Sequence, residues 1–437
     1  MVELQRRQRG RDFDGGAFWA DAFCGLNRGR GLGHHVPSDT LRFSCLDDRH
    51  TDGANQHFDP DASKTNGRGS SSVFFHLPSR VCSFPASLES LPVGARDRTA
   101  VQAEVKIDKI AILGAGSWGT ALAWLWAKQG RRICLWGNSA DRVERVQRTR
   151  ENSDYIPGLQ LPDSVNVTHE LRDCAEANLV VFVTPSTALR GIAMRLREVI
   201  REGRTMLLSC TKGIEHGSGM RMSQILNDIF PRHELAVLSG PNLAAEVVRG
   251  LPTATVIGCR DLKCAANLQD FLGSSRFRIY TSDDVTSIEL GGALKNVFAI
   301  AAGASDGLGL GDNTKAALVT RSLAEMIRLG TAMGGNLKTF YGLSGAGDLI
   351  ATCFSEHSRN RRVGEQLGRG QTLKQIASSM QMVAEGIPTT KSAHECARRL
   401  NIETPIIDQV NGLLYEGKVP IRAMQELLER DQKAEQI

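Results

Sequence analysis

Lys109–Ile110–Ala111–Ile112–Leu113–Gly114–Ala115–Gly116–Ser117–Trp118–Gly119 is a short apolar run that feeds straight into Gly-x-Gly-x-x-Gly. It reads as a buried strand, a glycine turn and the start of a helix. Gly114 permits the tight turn. Gly116 lets backbone approach a pyrophosphate, where a Cβ would block it, and Gly119 lets the helix pack closely on the strand. Phosphates held there would meet the free N–H groups and the dipole of a helix N-terminus. The motif alone is weak, but its surroundings agree with it. Thr120–Ala127 continues as a helix, Gly130 stops it, and Arg132–Ile133–Cys134–Leu135–Trp136 reads as a second strand. The expectation is a dinucleotide site.

Downstream the pattern repeats. Leu179–Val183, Thr205–Ser209 and Leu235–Ser239 are strand-length apolar runs that end in Thr184–Pro185–Ser186, Cys210–Thr211–Lys212–Gly213 and Gly240–Pro241–Asn242. Runs buried on both faces suit a parallel sheet. Ligands of open α/β sheets bind beyond the carboxyl ends of the strands, which places these polar endings near a ligand. Leu251–Gly258 and Phe277–Tyr280 are further strand candidates. After about Asp284 the strand signals stop and helical stretches run to the C-terminus. The expected architecture is α/β: a dinucleotide-binding domain over 106–284, then an all-helical substrate domain over 285–437, with a cleft between them.

Residues 1–105 read differently, being rich in Gly, Arg, Ser, Asp and His without sustained periodicity. Asn66–Gly67–Arg68–Gly69–Ser70–Ser71–Ser72 is linker-like. No apolar stretch follows the early arginines, as a secretory signal would require, and Asp12, Asp14 and Asp21 spoil a transit-peptide pattern. The expectation is a low-order extension, or an upstream start codon. His34–His35 reads as a solvated pair.

The 437 residues suggest two or three domains at roughly 150 residues each. A net charge of +5 is small for this length and does not favour a nucleic-acid partner. No run of about 18 apolar residues is present, so no membrane span is expected. The ten cysteines form no Cys-x-x-Cys pair and no zinc-spaced Cys/His cluster. They read as reduced thiols of a cytoplasmic protein, with no metal expected.

The helix starting near Val285 carries Lys295, with Gly291, Gly292, Ala299 and Ala302 on the same face. Leu290, Leu294, Val297, Phe298 and Ala301 make a separate core stripe. Glycines cost helix stability, so a lysine among them suggests room left for a ligand. Partial desolvation there would lower its pKa and fit it to exchange protons. Thr339–Asp348 is a Gly-rich turn that delivers an acid. Ser358–Arg359–Asn360–Arg361–Arg362 reads either as a phosphate grip or as a capped surface helix. The second strand ends in Gly137–Asn138–Ser139 with no acid to select NAD over NADP, so use of both is expected.

Taken in order, several segments resemble the bacterial NAD(P)-dependent glycerol-3-phosphate dehydrogenase family. They are Gly114–Gly119, Asn152–Gly158, Lys212–Glu215, Ser239–Pro241, Glu289–Val297, Gly311–Leu318, Gly347–Leu349, Ser358–Arg362 and Val383–Gly386, spanning roughly 106–420. The resemblance implies a Rossmann domain followed by a helical domain related to that of 6-phosphogluconate dehydrogenase. It implies reversible reduction of dihydroxyacetone phosphate to sn-glycerol 3-phosphate, with NADH or NADPH, feeding phospholipid synthesis. By position it makes Lys295 the proton donor/acceptor and puts Lys212 against cofactor and substrate. Gly240, Asn242, Asp348, Ser358, Arg359 and Asn360 fall at substrate positions. Ser117, Trp118, Asn138, Tyr155, Ala244, Val383 and Glu385 fall at cofactor positions, and Arg359 also lies near the cofactor. Asn242–Leu243 stands where the family usually has Ser or Thr, then Phe; Ser322 stands where Gly is usual, and Asn138 where His or Arg is common. The competing expectations are a relative acting on another 2-hydroxy or 2-keto compound, and a non-catalytic dinucleotide sensor. Lys212, Lys295 and Asp348 argue against the sensor. A homodimer through the helical domain is compatible with this reading.

Overall fold

The computed structural model describes residues 107–437 apart from 202, 204, 381–383, 433, 436 and 437. The extension read over 1–105 and the cofactor position Val383 lie outside the described residues.

Eight strands form one sheet: β1 (Lys109–Leu113), β2 (Arg132–Trp136), β3 (Val165–Thr168), β4 (Leu179–Phe182), β5 (Met206–Ser209), β6 (Leu235–Ser239), β7 (Thr253–Cys259) and β8 (Phe277–Ser282). Their order is β3-β2-β1-β4-β5-β6-β7-β8. Pairing is parallel from β3 through to β6; β7 then runs antiparallel to β6, with Val237 opposite Gly258, and β8 runs parallel to β7. Alternate residues of β1 enter opposite cores. Ile110 and Ile112 pack with Trp126 and Leu268, while Ala111 and Leu113 pack with Phe182 and Leu226. Helices therefore cover both faces. They are α1 (Ser117–Lys128), α2 (Ala140–Thr149), α3 (Leu189–Arg197), α4 (Met222–Ile229), α5 (Ala244–Val248) and α6 (Leu262–Leu272).

From Val285 the chain is helical: α7 (Val285–Gly307), α8 (Gly311–Ala332), α9 (Leu337–Phe340), α10 (Asp348–Phe354), α11 (Arg359–Gly368), α12 (Leu373–Ser379), α13 (Gly386–Arg399), α14 (Pro405–Tyr415) and α15 (Pro420–Leu428). Asp284 starts α7 by accepting the backbone N–H of Ser287 at 3.0 Å, an N-cap bond. This helix is long and apolar enough to cross a membrane, yet it is the axle of the helical half, buried from Ser287 to Ser305. The fold is thus a Rossmann-type sheet followed by a helical bundle.

Candidate active site

The glycine turn takes the form its spacing predicts. Gly114 has φ +124°, and a Cβ there would stand 2.5 Å from the Val183 carbonyl oxygen. A Cβ on Gly119 would overlap the Gly114 carbonyl, so the third glycine brings α1 onto the turn. A Cβ on Gly116 would meet no protein atom within 4 Å. Gly116 instead faces a cavity of about 760 Å³ at the carboxyl ends of β1, β2, β4, β5 and β6. The space that a pyrophosphate needs is therefore present, and Thr184 in its wall has a buried hydroxyl with no protein partner among the described residues. These residues fit a dinucleotide. Asn152 holds the turn from outside. It is buried, and its Nδ2 donates to the Ala115 carbonyl at 3.0 Å and to Thr120 Oγ1 at 2.8 Å. At the end of β2 the wall holds Asn138, Ser139, Arg142 and Arg195, with no carboxylate. Arg142 donates to Tyr155 Oη at 3.1 Å and to Asp154 at 3.2 Å.

At the far end of the cavity two lysines meet one acid. Lys212 follows β5, and its Nζ donates to Asp348 Oδ2 at 2.5 Å and to the Gly240 carbonyl at 3.1 Å. Lys295 on α7 donates to the other oxygen, Asp348 Oδ1, and to Thr352 Oγ1 at 2.7 Å. Asp348 opens α10 behind both lysines and is almost fully buried. Burial pushes the Lys295 ammonium down to about 8, with the nearby Asp348 charge opposing the shift and Lys212 adding to it. Two ammonium groups against one carboxylate leave about one positive charge at this end of the cavity.

The glycine strip beside Lys295 does not leave room for a ligand. A Cβ on Gly291 would stand 2.6 Å from the Ser344 carbonyl oxygen. One on Gly292 would overlap Ser239 Oγ and lie 3.4 Å from Lys212 Cδ. The strip is where the Gly-rich turn before Asp348 and the stem of Lys212 pack onto α7, and this close approach brings the three charges together.

Ser358 is the N-cap of α11, accepting the Arg361 N–H at 3.2 Å. The cap expectation is met, and the same turn faces the cavity with Arg359 and Asn360. Asn360 is fixed by its side chain, donating to Asn296 Oδ1 at 2.8 Å and accepting from the Gly386 N–H at 2.9 Å. Glu385 precedes α13 and reaches the sheet half, where it accepts from the Ser186 N–H at 3.1 Å and the Ser186 hydroxyl at 2.5 Å. Burial pushes the Glu385 carboxyl up and the Arg359 guanidinium down; each charge partly offsets the shift of the other.

Of the positions singled out in the sequence, Gly114, Gly116, Ser117, Trp118, Asn138, Tyr155, Lys212, Asn242, Lys295, Ser358, Arg359, Asn360 and Glu385 line this one cavity. Gly119, Gly240 and Asp348 stand behind its wall, and Ala244 begins α5 just past the lining residue Leu243. Asn242 is held by Thr255, whose hydroxyl donates to it at 3.0 Å. Asn152, Asn296 and Thr352 were not assigned roles from the sequence, and Ser186, one of the polar endings expected near a ligand, instead holds Glu385. Thr352 lies four residues after Asp348, one helical turn on, which is the signal that could have found it.

Residues 109–265 match the family model described as NAD-dependent glycerol-3-phosphate dehydrogenase N-terminus, and 284–425 the corresponding C-terminus. The chain is 45% identical to glycerol-3-phosphate dehydrogenase [NAD(P)+] of Desulfitobacterium hafniense over 75% of its own length and 93% of that protein. It is 46% identical to the enzyme of that name from Syntrophotalea carbinolica, over 75% and 99%. Among solved structures, glycerol-3-phosphate dehydrogenase from Coxiella burnetii superposes with a TM-score of 0.72 at 39% identity, over 74% of this chain and 99% of that one. With both halves matched, the glycine turn and lysine pair in one cavity and the acid directly behind its wall, the chain belongs to the NAD-dependent glycerol-3-phosphate dehydrogenase family.

Proposed function

We propose that Lys295 is the proton donor and acceptor of this enzyme, with Lys212 and Asp348 completing the reacting end of the cavity. The reaction is the reversible NAD(P)H-dependent reduction of dihydroxyacetone phosphate to sn-glycerol 3-phosphate, the usual supply for glycerophospholipid synthesis. The bound nicotinamide supplies the hydride that reaches the carbonyl carbon. Protonated Lys295 gives its proton to the carbonyl oxygen as negative charge grows there, and takes it back in the oxidative direction. Lys212, held by Asp348 and the Gly240 carbonyl, favours that charge without having to reorient. The observation that carries this reading is the Lys212–Asp348–Lys295 network in the wall of the dinucleotide cavity.

The first turn of α11 takes the substrate phosphate. Its backbone N–H groups at Arg359 and Asn360 and the Arg359 guanidinium supply the charge and the donors. Gly240 and Asn242 bound the substrate from the sheet half. Gly114, Gly116, Gly119, Ser117, Trp118, Asn138, Tyr155, Ala244 and Glu385 serve the cofactor. We divide the chain functionally at 284/285, where the last strand gives way to α7. The buried free cysteines support a cytoplasmic location. Exposed Tyr341, Ile350 and Phe354 on the helical half are apolar surface available to a homodimer.

Lys295→Ala tests the assignment. Turnover of dihydroxyacetone phosphate, followed as oxidation of NADH and of NADPH, should fall about 10²–10⁴-fold with cofactor binding retained. Wild-type-like turnover in that variant would overturn the role of Lys295. No turnover by the wild-type protein with either cofactor would overturn the substrate.

A further inference from the structure

The amino-end edge of the sheet, opposite the catalytic cavity, carries a cluster of sulfur donors with one carboxylate. Strands β5 and β6 are parallel and begin at this edge; β7 is antiparallel to β6 and ends there. The topology therefore gathers Met206 at the start of β5, Glu234 just before β6, Cys259 at the end of β7 and Cys264 in the first turn of α6. A Glu234 carboxylate oxygen and the sulfurs of Cys259 and Cys264 all lie within 4.8 Å of one another. Met206 Sδ is 3.9 Å from Cys264 Sγ, and Cys259 Sγ lies 3.5 Å from the Leu235 carbonyl. The charges that act on the two thiols are those of Glu234 and Asp261, both negative. The other thiol pair, Cys134 and Cys174 at 3.5 Å, differs in having Lys109 close by to balance Asp173.

We propose that Glu234, Cys259 and Cys264 bind a thiophilic dication of the Zn²⁺ class, with Met206 as a fourth soft donor beside them. Two thiolates and a carboxylate suit a tetrahedral d¹⁰ ion, and a thioether raises the preference for a soft one. Binding displaces the two thiol protons to solvent. Glu234 is exposed and both cysteines are buried, so the carboxylate marks the entry side. Sequence spacing hides the site, because Cys259 and Cys264 are five apart and Glu234 and Met206 reach them only through the strand order. The cluster is separate from the residues that line the catalytic cavity, and the role it implies is to lock β7 and α6 onto the sheet.

Cd²⁺ added to chelator-treated, reduced full-length protein is the probe, read by its ultraviolet thiolate-to-metal charge-transfer band and by bound metal per chain. The expected result is one tightly bound ion with a thiolate band, which Zn²⁺ in excess reduces by competing for the same site. Cys264→Ser should abolish the band and weaken binding at least about a hundredfold, beyond the loss typical of an outer-shell partner, with turnover of dihydroxyacetone phosphate intact. Glu234→Gln, at the surface, should weaken binding while folding normally. No band in the wild-type protein, or a band that survives in Cys264→Ser, would overturn the proposal. So would a Cys259–Cys264 disulfide that persists under reducing conditions and bars the ion.

Discussion

Lys295 is the residue to which we assign the proton step, and its environment sets its working range. With burial holding the ammonium near 8, Lys295 is mostly charged at neutral pH and neutral well above it. Reduction needs the charged form, so its kcat should fall as pH rises through about 8. Oxidation needs the neutral form, so its kcat should rise over the same interval. Profiles of kcat in the two directions that fail to mirror each other near that pH would remove Lys295 from the proton step. Asp348 pulls in the opposite sense to burial, since its charge favours the ammonium. Asp348→Asn should therefore move both midpoints to lower pH and cut reduction at neutral pH, and an unmoved midpoint would show that Asp348 does not act through Lys295. At this scale the sequence was legible for groups that carry charge: Lys212, Lys295, Asp348 and Arg359 stand in one cavity wall or directly behind it. It was not legible for the neutral groups that aim them. Asn296 and Asn152 act through hydrogen bonds that depend on which elements pack together, and no spacing in the chain announces those partners; only Thr352, one helical turn after Asp348, had such a signal.

The elements that hold the site are joined by backbone rather than by bulk. A Cβ on Gly303 of α7 would overlap the Arg361 carbonyl, and one on Gly364 of α11 would overlap the Ile300 carbonyl. The two helices thus touch main chain to main chain, and Asp306 of α7 accepts from Arg361 of α11 at 2.6 Å. This joint sets the height of Arg359 and Asn360 above Lys295. Gly364→Ala should gain helix propensity yet lose more to the overlap, for a net loss of about 1–3 kcal/mol. Its KM for dihydroxyacetone phosphate should rise. A stability gain, read as an upward shift of the thermal midpoint, would mean that α7 and α11 can part at no cost. Glycines in a helix read from sequence as space, whether for a ligand or for a neighbour, and Gly291 and Gly292 prove to be space for neighbours. Strand existence was likewise legible from apolar runs, β1 and β2 residue for residue. Val165–Thr168 escaped because a four-residue edge strand with Asn166 exposed carries little signal. β7 returns antiparallel to β6 after α5, a direction that apolar content does not encode.

At the scale of the molecule, catalysis needs the sheet half and the helical half to face each other across the cavity, and two acids on the helical side join Asp348 in bonding the halves. Glu289 of α7 is buried against the sheet half, accepting from the Ser223 N–H at 2.8 Å and from the Arg221 guanidinium. Glu385 does the same at the cavity rim, with its oxygens accepting from the Ser186 N–H and hydroxyl. The two-domain plan was legible where strand signals stop near Asp284, but these ties were not, since Ser186 and Glu385 are 199 residues apart. Their placement predicts that Glu385 serves the cofactor partly by keeping the cleft shut. Ser186→Ala removes the hydroxyl bond to a carboxylate and keeps the backbone one, a loss of about 1.5–3 kcal/mol. If closure supports cofactor binding, the Kd for NADPH should rise about tenfold or more, since each 1.4 kcal/mol is tenfold. The chemical step should be untouched, because Ser186 bonds Glu385, whereas the lysine pair is held by Asp348, Thr352 and the Gly240 carbonyl. Titration of cofactor fluorescence together with kcat at saturating substrates separates the two effects. An unchanged Kd would mean that the Ser186 hydroxyl bond does not support closure on the cofactor, and a drop in kcat would mean that Ser186 reaches the reacting groups.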